Sequence, residues 1–284
     1  MFEPVDRNST ARTIRQATEN SSASHNLEVI AGNPRCGLVI VCDHACNVIP
    51  AEYDNLGLPP GELERHIAYD IGVEGVTRGL ARRLGAPAVL ASFSRLVIDP
   101  NRGLDDPTLI MRLSDGAVVP GNAFIDADER DRRIARFYRP YDEAVGALIA
   151  GSVAAGPLPA VLSIHSFTPV WRGVPRPWHI GVLWKRDDRF AAPLLGALAQ
   201  DPQLVVGDNE PYSGGLAGDT MDRHATAKGL PDALIEIRQD LIAGTQGVNE
   251  WVERLAGLLP GVLAQPGVHR PLAASSHGNG DRRR

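Results

Sequence analysis

Ala160-Val161-Leu162-Ser163-Ile164-His165-Ser166-Phe167-Thr168-Pro169 is an apolar run that ends in a histidine between two serines. Its first residues predict a short buried strand over 160–165, and Pro169 stops any continuation. In α/β proteins the carboxyl ends of strands are where ligands and metals gather. A second stretch has the same design: Leu38-Val39-Ile40-Val41-Cys42 leads directly into Asp43-His44. Two strands, each ending in His, are the seed of a site.

Around these two, strand and helix patterns alternate. Short apolar segments predict strands over 37–43, 87–93, 160–165, 179–185, 203–207 and 233–238. Leu63, Ile67, Ile71, Val76, Leu80 and Leu84 recur at helical spacing and predict a helix over 61–84, ended by Gly85. Further helices are expected over 128–149, kinked or interrupted by Pro140, over 188–200 and over 246–263. Such alternation implies an α/β fold: a single-domain α/β/α sandwich on a mixed, mostly parallel sheet. The expected organisation is a polar N-terminal arm over 1–26, one domain over 27–265 and a flexible C-terminal tail over 266–284, where His269 and His277 are discounted as ligands.

The chain has 284 residues, 43% of them hydrophobic, enough for a sizeable core. A formal net charge of -5 and a pI near 5.9 give no reason to expect nucleic-acid or anionic-membrane partners. No run approaches the roughly 18 apolar residues of a membrane span. Met1-Phe2-Glu3-Pro4 does not begin a basic-then-apolar leader, so no secretory signal is expected. Cys36, Cys42 and Cys46 are odd in number and lack paired CxxC spacing. They read as reduced thiols of a cytoplasmic protein.

His44 and His165 are candidate metal ligands, and a zinc hydrolase needs a third N or O donor, leaving one position to water. Asn47 is a poor donor; Glu62, Glu64 and Asp70 are the nearest carboxylates, and on a continuous helix His66 and Asp70 would share a face. Glu236 stands in the middle of the apolar segment Ala233-Leu234-Ile235-Glu236-Ile237-Arg238. A buried Glu has a raised pKa and suits a general base, although a local pair with Arg238 competes with that role. Arg95 and Arg102 fall in one segment and suit a substrate carboxylate, or else pair with Asp99 and Asp105. The polar, Gly-rich turn at Asn209, Tyr212 and Ser213 suits a substrate loop, with His224 following as a further candidate. A cysteine-nucleophile amidase built on Cys42 or Cys46 with His44 is a separate reading, but no orienting third group is evident.

Five segments in order (43–47, 94–102, 164–169, 209–214 and 234–241) together resemble the N-formylglutamate amidohydrolase family, over about residues 36 to 255. The resemblance implies a fold similar to the zinc-dependent exopeptidases (phosphorylase/hydrolase-like). It implies hydrolysis of the amide of an N-formyl or N-acyl amino acid, such as N-formylglutamate, by zinc-activated water. Carried over by position, His44, Asp70 and His165 are the expected Zn2+ ligands and Glu236 the base. Arg95 and Arg102 are expected near the substrate carboxylate. His44-Ala45-Cys46 stands where well-characterised members carry His-Ser-Gly, which marks a divergent branch. A zinc carboxypeptidase, a deacylase of another N-acyl amino acid and a non-catalytic binding protein of the same fold are the alternatives.

Overall fold

The structure is a computed structural model and describes residues 26–272. Its elements in chain order are β1 (Leu27–Ile30), β2 (Leu38–Cys42), α1 (Val73–Leu84), β3 (Ala88–Ala91), α2 (Ala127–Arg133) and α3 (Arg139–Ala155). Then follow β4 (Ala160–Phe167), β5 (Ile180–Leu183), α4 (Ala191–Leu198), β6 (Val206–Asp208), α5 (Thr220–His224), β7 (Asp232–Arg238) and α6 (Thr245–Leu263). One seven-stranded sheet runs in the order β1-β3-β2-β4-β7-β5-β6. β3, β2, β4 and β7 are mutually parallel, β1 is antiparallel to β3, and β5 with β6 runs against β7. The expected mixed, mostly parallel α/β sheet is therefore what the chain forms.

Alternation along the strands splits the core in two. Leu38, Ile40, Leu162, Ile164, Ile235 and Ile237 face α1, α4 and α6. Val39, Val41, Val161 and Leu234 face the α2–α3 side. Both faces are covered, which explains why these strands read as continuous apolar runs. Each fully buried aliphatic side chain contributes about 1.5–3 kcal/mol.

Several expectations are corrected. The segment 61–84 is not one helix: a single turn at Pro60–Leu63 is followed by irregular backbone up to α1. Tertiary hydrogen bonds hold this break, from Asp70 N to His44 O, and from Ser94 Oγ and Arg95 N to Ala68 O. Gly72, at φ 83°, starts α1 in a left-handed conformation, and a Cβ there would meet Ile242 O at 2.1 Å. The second helix is interrupted as expected: a π turn over Ile134–Tyr138 separates α2 from α3, whose first turn holds Pro140. β1 was not expected, and it pairs as an antiparallel edge on β3. In the predicted tail, Val268 is fully buried and His269 Nδ1 lies 2.7 Å from Leu158 O, so the domain continues past 265. Residues 1–25 of the predicted arm over 1–26, and the tail from 273 onward with His277, lie outside the described residues. Among the described residues no helix is long and apolar enough to cross a membrane.

Candidate functional site

The ends of three parallel strands build the site. His44 follows β2, His165 is the sixth residue of β4, and Glu236 is the fifth of β7. Asp70 reaches the same point from the irregular segment before α1. Asp70 Oδ2 lies 2.8 Å from His165 Nδ1 and 3.4 Å from His44 Nδ1. One donor atom from each of these three buried residues falls within 4.8 Å of the others, a group able to hold a metal ion.

The far side of each imidazole is also fixed by a carboxylate. His44 Nε2 is 2.7 Å from Asp99 Oδ1, and His165 Nε2 is 3.2 Å from Asp43 Oδ2. With a cation bound between the imidazoles and Asp70, these contacts would favour the Nε2–H tautomer and leave each Nδ1 lone pair to the cation, the outer-sphere arrangement of metal-binding histidines. Asp43 is itself held by Tyr141 OH at 3.0 Å and Thr220 Oγ1 at 2.7 Å. Asp99 accepts from Arg95 Nη2 at 2.7 Å and from Asn101 N at 2.9 Å. The donor set fits a divalent metal: ligand atoms around one tetrahedral zinc stand roughly 3.4 Å apart, and two lone-pair nitrogens facing a carboxylate need a cation between them. Asp70 Oδ1 and His66 Nδ1 are buried without hydrogen-bond partners and face each other at 3.6 Å, with Arg95 Nη1 3.5 Å from the same oxygen.

Electrostatics follow from this crowding. Burial opposes the charged form of Asp70, but His44 and His165 hold it well below the usual carboxylate range. Burial likewise opposes ionisation of Asp99, and Arg95 and His44 overcome it. Burial pulls His165 down, yet its bonds to Asp43 and Asp70 push it up to about 10. A positive charge is thus favoured at this point. Burial leaves His66 neutral, lowered to about 4.

Glu236 faces the cluster. Its pairing with His165 across β7 and β4 puts both side chains on one face of the sheet. Its Oε2 is buried without a hydrogen-bond partner, and Arg238 bonds Asp240 at 2.8 Å instead of Glu236. Burial, reinforced by the Asp70 charge against the pull of His165 and Arg95, raises Glu236 to about 8. One cavity of about 440 Å³ joins these groups, lined by His44, Asp70, His165 and Glu236 and also by Arg95, Arg102, Tyr212 and Ser213. Gly181 permits the last two to approach: it pairs with Glu236, and a Cβ there would lie 1.8 Å from Glu210 O.

Not every candidate reaches this cavity. Asn209 does not line it; its Oδ1 accepts from Trp184 N at 3.1 Å and Gly214 N at 2.9 Å, so it shapes the loop. His224 does not line it either, and its Nε2 lies 2.6 Å from Asp142 Oδ1. His66 lines it, whereas Glu62 and Glu64 do not. Cys42 belongs to the core on the α1 side and burial raises its thiol strongly; Cys46 is half-buried and raised by burial too. Neither lines the cavity, which removes the thiolate reading. Asp43 and Asp99 are histidine partners that local pattern does not single out, although both lie in the motif segments 43–47 and 94–102. Nor does local pattern single out Arg176, 3.0 Å from Tyr212 OH and 5.0 Å above that ring.

The sequence profile of the N-formylglutamate amidohydrolase family (FGase) matches residues 36–243. The crystal structure of gene product Atu2144 from Agrobacterium tumefaciens is 35% identical, with 86% of this chain covering 96% of that one at a TM-score of 0.79. That of N-formylglutamate amidohydrolase from Ralstonia eutropha JMP134 is 22% identical, with coverage of 84% and 97% and a TM-score of 0.65, a likeness of fold. No curated protein matches the sequence.

Proposed function

The chain belongs to the N-formylglutamate amidohydrolase family, and we propose that it is a metal-dependent hydrolase of the amide bond of N-formyl or N-acyl amino acids. The observation that carries this reading is one cavity with a metal-competent His44–Asp70–His165 cluster and an unpartnered, buried Glu236 carboxylate. His44, Asp70 and His165 would hold the metal, zinc being the first choice for such a set. A bound metal would supply a Lewis acid that activates water and polarises the amide carbonyl.

The protein's own groups do the rest. Glu236, with a pKa lifted toward neutrality, takes a proton from the attacking water and returns it to the leaving amine. A bound cation would lower the Glu236 pKa and favour its carboxylate form, the form that acts as a base. Arg95 keeps a fixed positive charge beside the carbonyl as negative charge develops on its oxygen. Arg102, Tyr212 and Ser213 line the cavity where the amino acid portion binds. Asp43 and Asp99 hold the two imidazoles in the tautomer that presents Nδ1.

The test is to measure the metal content of the purified protein and its hydrolysis of Nα-formyl amino acids, before and after chelation. About one zinc per chain and chelator-sensitive release of formate are expected. A folded protein that neither contains nor takes up metal would exclude this mechanism and leave a binding protein of the same fold.

A further inference from the structure

The cavity continues well beyond the catalytic groups. Alternation along β7 puts Asp232, Leu234 and Glu236 on one face, and all three line the cavity. Leu183, the register partner of Leu234, lines it too, as does Met221. The order along the strand is therefore an acid at the catalytic end, an apolar waist, and a second acid at the far end. Asp232 is 6% exposed. One of its oxygens, Oδ2, accepts from Thr226 Oγ1 at 3.0 Å, and that is its side chain's only hydrogen bond among the described residues. The other oxygen is left for a ligand.

The surroundings of Asp232 disfavour anions. Asp219 acts on Asp232 and lines the same cavity, the cavity's single lysine, Lys185, is engaged by Asp222 at 3.1 Å, and its arginines, Arg95 and Arg102, belong to the segment after β3. Arg189 does not line the cavity; it pairs with Asp187 and donates to Gly229 O at 2.8 Å. Burial, with Asp187 and Asp219 nearby and against the pull of Thr226 and Arg189, pushes Asp232 up to about 7. A glutamate-like carboxylate is poorly matched to this end, while a cation or hydrogen-bond donor fits it.

The geometry points to Asp232 as a specificity-determining residue that receives the terminal ammonium of the substrate's side chain, making an amine-tipped N-formyl or N-acyl amino acid the preferred substrate. This rests on the hydrolase reading of the same cavity. The lengths agree: Asp232 and Glu236 are four residues apart, about 13 Å along a strand. Allowing about 3 Å for the hydrogen bond at Asp232 and about 3 Å for the attacking water at Glu236 leaves about 7 Å. The seven bonds from the formyl carbon to the terminal nitrogen of Nα-formyl-lysine, about 9 Å end to end when the chain is extended, cover it. Leu183, Leu234 and Met221 would pack on the methylenes.

The test is calorimetric binding of Nα-formyl-lysine, Nα-formyl-norleucine and Nα-formyl-glutamate to zinc-supplemented Glu236→Gln protein, which is not expected to consume them. The lysine derivative should bind about tenfold more tightly than the norleucine derivative, as expected for one charge-assisted hydrogen bond. Asp232→Asn in the same background should erase that margin. Equal binding of the three, tightest binding of the glutamate derivative, or a lysine preference that survives Asp232→Asn would overturn the assignment. Should Asp232→Asn fail to fold, the order measured with Asp232 intact decides by itself. Turnover of the three by the unmutated protein is read in parallel: hydrolysis of none sinks the hydrolase reading, while the binding order still decides the role of Asp232.

Discussion

His165 and Glu236 are register partners on adjacent parallel strands, β4 and β7, so a metal-competent imidazole and an unpartnered carboxylate leave the sheet side by side on the same face. That pairing ties the chemistry to the most rigid part of the fold, since both strands are central and buried.

Glu236→Gln keeps the shape of the side chain and removes its basicity. Turnover should fall by about 10²–10⁴, the usual worth of a positioned proton-transfer group. Metal content, read by elemental analysis, should stay the same. Near-normal turnover in this variant would exclude Glu236 as the base.

Asp99→Asn and Asp43→Asn leave the three candidate ligands in place but weaken the groups that orient His44 and His165. Each should cut zinc affinity about 10–100-fold in a chelator competition, the common cost of losing an outer-sphere partner. Unchanged affinity in both would mean that these carboxylates serve folding alone.

Gly181→Ala introduces a Cβ 1.8 Å from Glu210 O. The rigid sheet cannot yield as readily as the loop, so the segment carrying Tyr212 and Ser213 should shift. We expect KM to rise and metal content to persist. Unaltered kinetics would show that this loop does not contact substrate.

Arg133 is 2% exposed and holds the segment that bears Arg95 and Asp99, donating to Val97 O at 3.0 Å and to Asn122 Oδ1 at 2.7 Å. Glu129 Oε1 lies 2.7 Å from its Nε. Arg133→Ala should cost about 3 kcal/mol, measured by denaturant unfolding, because it strands buried partners. A loss below about 0.5 kcal/mol, the range of ordinary surface changes, would contradict this role.

Asp232 makes stability depend on pH with a defined sign. Its folded pKa is raised from 3.8 to about 7, chiefly by burial, with Asp187 and Asp219 adding to it and Thr226 and Arg189 opposing. Protonated in both states at low pH, it then exerts no penalty; the penalty grows as pH rises through this window and is complete above it. Asp232→Asn should therefore gain on the unmutated protein by several degrees in Tm at pH 8 relative to pH 4. A Tm difference that does not vary with pH would refute the shift.

Much of this was legible in the order of residues. Hydrophobic runs of strand length and stripes of helical period specify an α/β sheet, because burial on both faces demands them. His44, His165 and Glu236 stood out because a titratable side chain within or at the end of an apolar strand must find a partner. What local pattern could not reveal was the break that carries Asp70: Leu63, Ile67 and Ile71 keep helical spacing, and tertiary hydrogen bonds to His44, Asn47, Ser94, Arg95 and Ser166 hold that backbone out of a helix. Nor could it show that Asn209 and His224 turn away from the cavity, that Asp43 and Asp99 turn toward His165 and His44, or that Asp232 lines the cavity. Those outcomes depend on which strands lie next to each other, and strand order is set by long-range packing and register, not by local sequence.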